Sequence, residues 1–559
     1  MLIPAQGSDP ADEWHRLGLE AQVAGQLPLA QQRYQQALRL DPRHALATLN
    51  LAIVFAQSNH LNEALLTVER ASMFDGVHAV VPMNWALMAL EADRIDDALA
   101  QARRSVEMAP KGLIGNPSRM ALAMVLGVAG KPGEAIPLYN EILDTEPKHG
   151  AAGPNSCFVQ TLTTAAPGDL RKQRDRWYAA NKFDGKIEPH RNDRGTDRPL
   201  RVGYVGGDFK QHSAAFIFAN VLLHHSQAVE MYLYSSLPVN AEADIRTKAF
   251  QAACGGRWRD ISAMNDEDAD RLIRRDKIDI LVDLAAHTNG GRLGIFCRKP
   301  APVQVTAWGF AHGTGVPEID YFLADAVAIP EEERQHYAER IIDTPCIVTM
   351  NPPEEYQLKG TSSPPLKKNG YITFGCYARY EKMSDKCLEC LGEIMRQVPD
   401  AKMEFKDHAY RRPYSIRRIL GFMRGVAPER LLFSIGTTHP DHMLAYQQAD
   451  ICLDPFPHGG GVVGLEQLYM GVPLITLYGS QPAGRSGSSV LTVLGRTDWI
   501  ARTHEEYVAK AVEWADKPKE LAKARLTLRD ELLKSPVVAG YAERVEAIYR
   551  DIWRKWCED

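Results

Sequence analysis

A spacing of 34 residues recurs through the first quarter of the chain. Ala30, Ala64 and Ala98 keep it, as do Ala37, Ala71 and Ser105. Asp41 and Asp75 stand one such step apart, and Pro42 and Pro110 stand two. Small residues are wanted where two helices cross closely, and a proline cannot continue a helix. A unit of this length cannot bury its apolar face alone, so the units must stack into a solenoid of helical hairpins.

The first unit carries Trp14, Leu17, Gly18, Ala21, Gly25, Tyr34 and Ala37, the pattern of the tetratricopeptide repeat. A fourth unit follows after a three-residue slip, with Gly127, Ala135, Tyr139 and Pro147. Four units over residues 1–148 predict a curved surface that holds a protein or peptide. The plainer alternative is an arm that packs only on its own neighbour. The net charge of -5 argues against a nucleic-acid or membrane-surface binder. Nine scattered cysteines without paired spacings suggest reduced thiols and a cytoplasmic location. Cys387 and Cys390 form a lone C-x-x-C inside an apolar-periodic stretch, which reads as helix packing. The opening MLIPAQGSDP lacks a basic region followed by an apolar core, and no apolar run reaches about 18 residues. The expectation is a chain neither exported nor membrane-spanning.

Residues 149–198 read as a helical linker region, with one helix-like piece, DLRKQRDRWYAANKF, and the polar run EPHRNDRGTDRP. The rhythm then changes. LRVGYVGGDF, MYLYSS, IDILVDLA, PVQVTAW and DYFLAD are strand candidates separated by helical stretches, over residues 199–360. After the break KGTSSPPLKKNG the alternation restarts over 370–559 with YITFGCY, AKMEFK, RLLFSI, ADICLDP and VPLITL. Such alternation predicts two parallel, doubly wound α/β lobes, with ligands held at the carboxyl ends of the strands in a cleft between them.

Three motifs carry candidate chemistry. In Gly206-Gly207-Asp208-Phe209-Lys210-Gln211-His212, His212 follows a strand and suits a general acid/base or a sugar contact; the alternative is a cap on the next helix. In FGCYARYEKMSDK, Lys382 reads as beginning a helix, where a cation is unfavourable unless an anion compensates it. A diphosphate is the natural anion, and Arg379 is near enough in sequence to share it. In LDPFPHGGGVVGLEQLYMGVPLIT, three glycines precede a helix expected near Val462, and Glu466 falls one turn later, where an acid can accept ribose hydroxyls. His439 and His442 lead into another helix and could approach the nucleotide. Asp208, His287 in DLAAHTNGG and Gly309 in PAPVQVTAWGFAHGTG are candidates for lining the cleft. Asp266-Glu267-Asp268 has a D-x-D spacing but opens a helix, where acids suit the dipole, so no metal site is expected.

These stretches together, Pro199 to His212, Arg298 to Gly315, Phe374 to Asp385 and Ala449 to Pro473, resemble the protein O-GlcNAc transferase family. The resemblance covers nearly the whole chain. It implies a GT-B body of two Rossmann-like lobes and metal-independent, inverting transfer of N-acetylglucosamine from UDP-GlcNAc to serine or threonine hydroxyls of proteins. It places His212 at the family's active-site histidine, Lys382 at its diphosphate lysine and Arg379 at a donor-binding glutamine. His442 falls at a uridine-pocket histidine and Glu466 at a ribose-binding aspartate. One departure stands out: the family's His-Thr-Thr on the donor phosphates is here Gly461-Val462-Val463, which leaves main-chain N–H groups to serve. His287-Thr288, PAPVQV and LYMGVP are similar to the SPINDLY branch, which includes GDP-fucose-dependent protein O-fucosyltransferases. A further alternative is a peptide-binding scaffold whose lobes have lost catalysis.

Overall fold

A computed structural model describes residues 9–74, 78–109, 111–238, 243–356, 358 and 363–559. Asp75 and Pro110 of the repeat pattern, and residues 359–362 of the break between the lobes, lie outside that set. The contacts divide the chain into two units. One comprises the residues up to Gly153 together with Arg411–Arg418; the other comprises Pro154–Tyr410 and Ile419–Asp559.

The first unit contains four helical hairpins: α1 (Pro10–Val23) with α2 (Leu27–Leu40), α3 (Ala45–Gln57) with α4 (Leu61–Ser72), α5 (Val80–Glu91) with α6 (Ile95–Met108), and α7 (Asn116–Val128) with α8 (Pro132–Thr145). The residues that set the spacing are the ones the hairpins bury: Ala30, Ala64, Ala98, Ala37, Ala71 and Ser105 are fully enclosed. Gly18 explains its own identity. A Cβ there would lie 2.5 Å from Tyr34 Cε1, so α1 and α2 can cross at this distance only over a glycine. The Tyr34 hydroxyl donates to Gln22 Oε1 at 2.7 Å, satisfying the one polar atom the ring brings inside. Trp14, by contrast, is 39% exposed.

The second unit begins with two linker helices. The expected one is α10 (Pro167–Asn181); α9 (Ala152–Gln160), which begins just before the unit boundary, has no counterpart in the sequence reading. A seven-stranded parallel sheet follows: β1 (Leu200–Gly206), α11 (Ser213–Leu222), β2 (Val229–Ser235), α12 (Ile245–Ala253), β3 (Trp258–Asp260), α13 (Asp266–Arg275), β4 (Ile280–Asp283), α14 (Leu293–Phe296), β5 (Val303–Ala307), β6 (Tyr321–Ala324) and β7 (Arg340–Asp343). Its order is β3-β2-β1-β4-β5-β6-β7. The second lobe holds α15 (Leu366–Asn369), β8 (Thr373–Cys376), α16 (Asp385–Gln397), β9 (Lys402–Lys406), α17 (Pro413–Phe422, which as far as Arg418 is grouped with the first unit), β10 (Leu431–Ser434), α18 (His439–Ala445), β11 (Ile451–Leu453), α19 (Val462–Tyr469), β12 (Leu474–Leu477), α20 (Ser486–Val493) and β13 (Ile500–Ala501). Its order is β10-β9-β8-β11-β12-β13, again parallel. Both sheets reverse direction beside their first strand, which puts a topological switch point, the usual ligand crevice, at the carboxyl ends of β1 and β8.

Three helices close the chain: α21 (His504–Ala515), α22 (Pro518–Lys534) and α23 (Tyr541–Glu558). The expectation that 370–559 forms one lobe is corrected at its end, because α23 packs on α11 and β5 of the first lobe. The reason is an amphipathic helix whose buried face carries polar tips with partners only there. Tyr549 meets the Tyr204 hydroxyl (3.2 Å), Tyr541 receives Trp308 Nε1 (3.2 Å), and Glu546 accepts from Ser226. The return crossing lies beside the outgoing one: Thr349 Oγ1 donates to Val537 O at 2.5 Å, and Asn220 Nδ2 donates to Thr349 Oγ1 and Val538 O. Among the described residues no helix is long and apolar enough to cross a membrane.

Candidate functional site

Strand β1 ends at Gly206, and the turn after it delivers Asp208 and His212. His212 caps α11: its Nδ1 accepts the Ala214 N–H (3.3 Å) and lies 3.3 Å from Asp208 Oδ2. Both sequence readings of this histidine therefore meet in one residue. Its side chain is 45% exposed beside a largely covered carboxylate. Burial lowers the pKa of His212, with Asp208 opposing and Lys210 and Arg379 assisting; burial raises that of Asp208. The Ala214 N–H and the Asp208 carboxylate thus compete for one nitrogen, and only the tautomer in which Nδ1–H donates to Asp208 leaves Nε2 free as a general base.

Lys382 does not begin a helix. It closes a 3-10 turn, Tyr380–Lys382, while α16 starts at Asp385 under its own cap, the Ser384 hydroxyl, which accepts from Cys387 N (3.1 Å). The reason is that Ser384 competes for the helix start, so the dipole argument for an anion does not apply to the lysine. What holds instead is partial burial. The ammonium donates to Gly459 O (2.8 Å), and burial, helped by Arg379, lowers its pKa to about 7. Arg379 precedes the turn, exposed, with its guanidinium 6.0 Å from the Phe158 ring centroid on α9. Its charge lowers the pKa of both His212 and Lys382.

The glycine-rich turn is placed as expected, with α19 beginning at Val462 and Gly461 ahead of it at φ 51°. Two of the three glycines have a packing reason. A Cβ on Gly459 or Gly460 would fall 3.1 or 2.9 Å from a carboxylate oxygen of Asp454. Of the amides offered in place of the missing side chains, that of Val463 is already bonded to Gly460 O (3.1 Å). Val462 remains a first-turn amide, a position without an intrahelical acceptor.

Glu466 is buried and accepts from the Tyr446 hydroxyl at Oε2 (2.7 Å), with His439 Nε2 2.7 Å from Oε1. Both oxygens thus carry protein partners, and a ribose hydroxyl must share them rather than find them bare. His439 also meets the Tyr356 hydroxyl (2.9 Å) through Nδ1 and stacks on Phe216 of α11, with centroids 4.1 Å apart. His442 Nε2 pairs with the Tyr446 hydroxyl (2.8 Å). The three residues expected near the nucleotide, His439, His442 and Glu466, therefore form one network joined through Tyr446.

His287 does not line an open cleft. It is 2% exposed, hydrogen-bonded through Nε2 to Thr314 O (2.7 Å) and walled by Trp177 and Phe310; burial lowers its pKa to about 4, so it stays neutral. Gly309 is explained by backbone approach, since a Cβ there would collide with Leu284 O. Asp266 and Asp268 pair with Arg292 and Arg271. Cys387 and Cys390 are buried on α16, in accord with helix packing.

Sequence reasoning passed over three groups here. Asp454 lies under the glycine turn. His458 Nδ1 meets Thr161 Oγ1 (3.1 Å), and its pKa is held well below the ordinary value by burial and by Lys382 and Arg379. His312 Nε2 meets Gln481 Oε1 (3.0 Å). The signal for the first two was present, because both stand inside the motif LDPFPHGGG.

The model of glycosyl transferase family 41 matches residues 185–348 and 361–543, and a tetratricopeptide-repeat model matches 15–74. The chain is 35% identical over 378 residues to the "Probable UDP-N-acetylglucosamine--peptide N-acetylglucosaminyltransferase SPINDLY" of Solanum lycopersicum, covering 66% of this chain and 40% of that one. It is 29% identical over 373 residues to the protein SEC of Arabidopsis thaliana, similarly named, covering 64% and 37%. The chain thus spans about two fifths of the length of these curated relatives. Among solved structures, a mutant of Thermobaculum terrenum O-GlcNAc transferase superposes with a TM-score of 0.75 over 99% of both chains at 24% identity, a likeness of fold.

Proposed function

Because the chain belongs to glycosyl transferase family 41, we propose that it is an inverting glycosyltransferase that moves N-acetylglucosamine from UDP-GlcNAc to serine or threonine hydroxyls of proteins. The observation that carries the proposal is Lys382: a partly buried ammonium group bonded to Gly459 O of the glycine turn, its pKa lowered to about 7. Such a lysine gains most from an entering anion, and a diphosphate leaving group is the anion this chemistry makes. In transfer, the acceptor oxygen bonds to the anomeric carbon as the bond to the diphosphate oxygen breaks. Lys382 and the Val462 amide at the start of α19 stabilise the charge left on the diphosphate, and His212 takes the acceptor proton. The relatives' printed names, which give UDP-N-acetylglucosamine as donor and peptide as acceptor, support this reading. The repeats would hold the acceptor polypeptide, no metal takes part, and nine free cysteines suit a reducing cytoplasm.

A second donor, GDP-fucose, is favoured by one observation: Gly461-Val462-Val463 presents neither the imidazole nor the hydroxyls of the usual donor site. A thermal-shift series with UDP, GDP, UDP-GlcNAc and GDP-fucose, followed by transfer of radiolabelled sugar to peptide, decides between them. Stabilisation by the uridine ligands with GlcNAc transfer supports the first donor. Stabilisation by the guanosine ligands alone replaces it, and a response to none leaves a peptide-binding scaffold.

A further inference from the structure

The glycine turn is built around a carboxylate. Asp454 follows β11 and is 3% exposed. Its Oδ1 accepts from Gly460 N (2.6 Å) and its Oδ2 from Thr476 Oγ1 on β12 (2.8 Å). Its own backbone is committed too, N to Ile475 O (2.9 Å) and O to the Tyr507 hydroxyl (2.8 Å). A Cβ on Gly487, at the start of α20, would sit 2.8 Å from Oδ2, as close as those on Gly459 and Gly460 would come. Three glycines from two elements thus close on one acid.

A carboxylate so enclosed is costly to keep charged unless a cation faces it. The cation that acts on it is Lys382, bonded to Gly459 O beside the residue Asp454 holds. The two act on each other's titration, Asp454 drawing the lysine up and Lys382 drawing the acid down, each against burial. The other charged or titratable groups acting on Lys382 are Arg379 and Glu381 of its own turn and, from the glycine turn, His458. Lys382 Nζ bonds to Gly459 O, and Asp454 holds the very next residue, Gly460. The geometry points to Asp454 as the positioning residue of the donor site: it fixes the glycine turn through Gly460 and supplies a negative charge that favours the ammonium form of Lys382. This rests on the reading of Lys382 as the diphosphate's partner.

The test is Asp454→Asn, which keeps the shape and an acceptor for Gly460 but removes the charge. The pH midpoint above which UDP-GlcNAc affinity falls should move down by about one unit, so that Kd rises roughly eightfold at pH 7.5 and returns to near parity at pH 5.5. A purely structural loss would weaken binding equally at every pH, and an unmoved midpoint overturns the proposal. Lys382→Ala separates the two claims. If it binds UDP-GlcNAc as the wild type does, the diphosphate reading itself fails. If it binds weakly while Asp454→Asn keeps the wild-type midpoint, only the role of Asp454 falls. Should Asp454→Asn not fold, Asp454→Ser removes the same charge and should move the midpoint down by a similar amount, and an unmoved midpoint there overturns the proposal too.

Discussion

Lys382 makes a prediction that reaches beyond loss of activity on mutation. With a pKa of about 7, the lysine is half neutral at physiological pH in the free protein. A bound diphosphate restores the ordinary high value, because an anion at contact favours the charged form. The sign follows: above pH 7 the complex holds a proton that the free protein has lost, so binding takes up a proton and affinity falls as pH rises. Between pH 6.5 and 8.5 the charged fraction of a group with pKa 7 drops about 25-fold, which weakens UDP-GlcNAc binding by about 1.9 kcal/mol. Titration calorimetry at pH 7.5 in buffers of differing ionisation enthalpy should register about 0.75 proton taken up per nucleotide. Lys382→Arg, charged throughout, should flatten the profile whatever its absolute affinity. A wild-type Kd constant across this range with no proton uptake would refute the reasoning.

Three further outcomes are expected. His212→Ala should lower kcat by roughly 10²–10⁴-fold in a radiolabelled-sugar assay while leaving the Kd for UDP unchanged; a loss confined to sugar-nucleotide affinity would assign the histidine to sugar positioning instead. Gly18→Ala should cost about 1–3 kcal/mol of stability by overpacking, since the new methyl group meets Tyr34, and an unshifted urea midpoint would contradict the account of that helix crossing. Turnover should persist in excess EDTA, and dependence on Mn²⁺ would return Asp266 and Asp268 to consideration as ligands.

What the sequence disclosed was whatever repeats or alternates locally. The 34-residue spacing fixed which alanines are enclosed, and the strand candidates from LRVGYV to VPLITL coincide with β1, β2, β4 to β6 and β8 to β12. The strands passed over, β3, β7 and β13, lie at sheet edges, and β3 and β7 bury no residue fully, so no apolar run marks them. The site was legible as residue types but not as partnerships. Lys382 meets Gly459 across 77 positions, and His439 meets Tyr356 across 83. No local pattern carries such pairs. The start of α16 went to Ser384 rather than Lys382 because a hydroxyl two residues on satisfies the free amides better than any feature of the lysine. The glycines of the third motif pointed to a ligand, whereas two of them are needed first for the acid beneath them.

The return of α23 to the first lobe has a mechanical consequence. The polypeptide passes between the lobes twice, and the two passages are tied side by side through Thr349 and Val537. Two adjacent tethers resist torsion better than one, so twisting about that seam is more restrained than bending along it. Truncation before Tyr541 would leave one tether and strip the first sheet of the helix that covers it, even though every residue removed is remote in sequence from the Asp208–His212 turn.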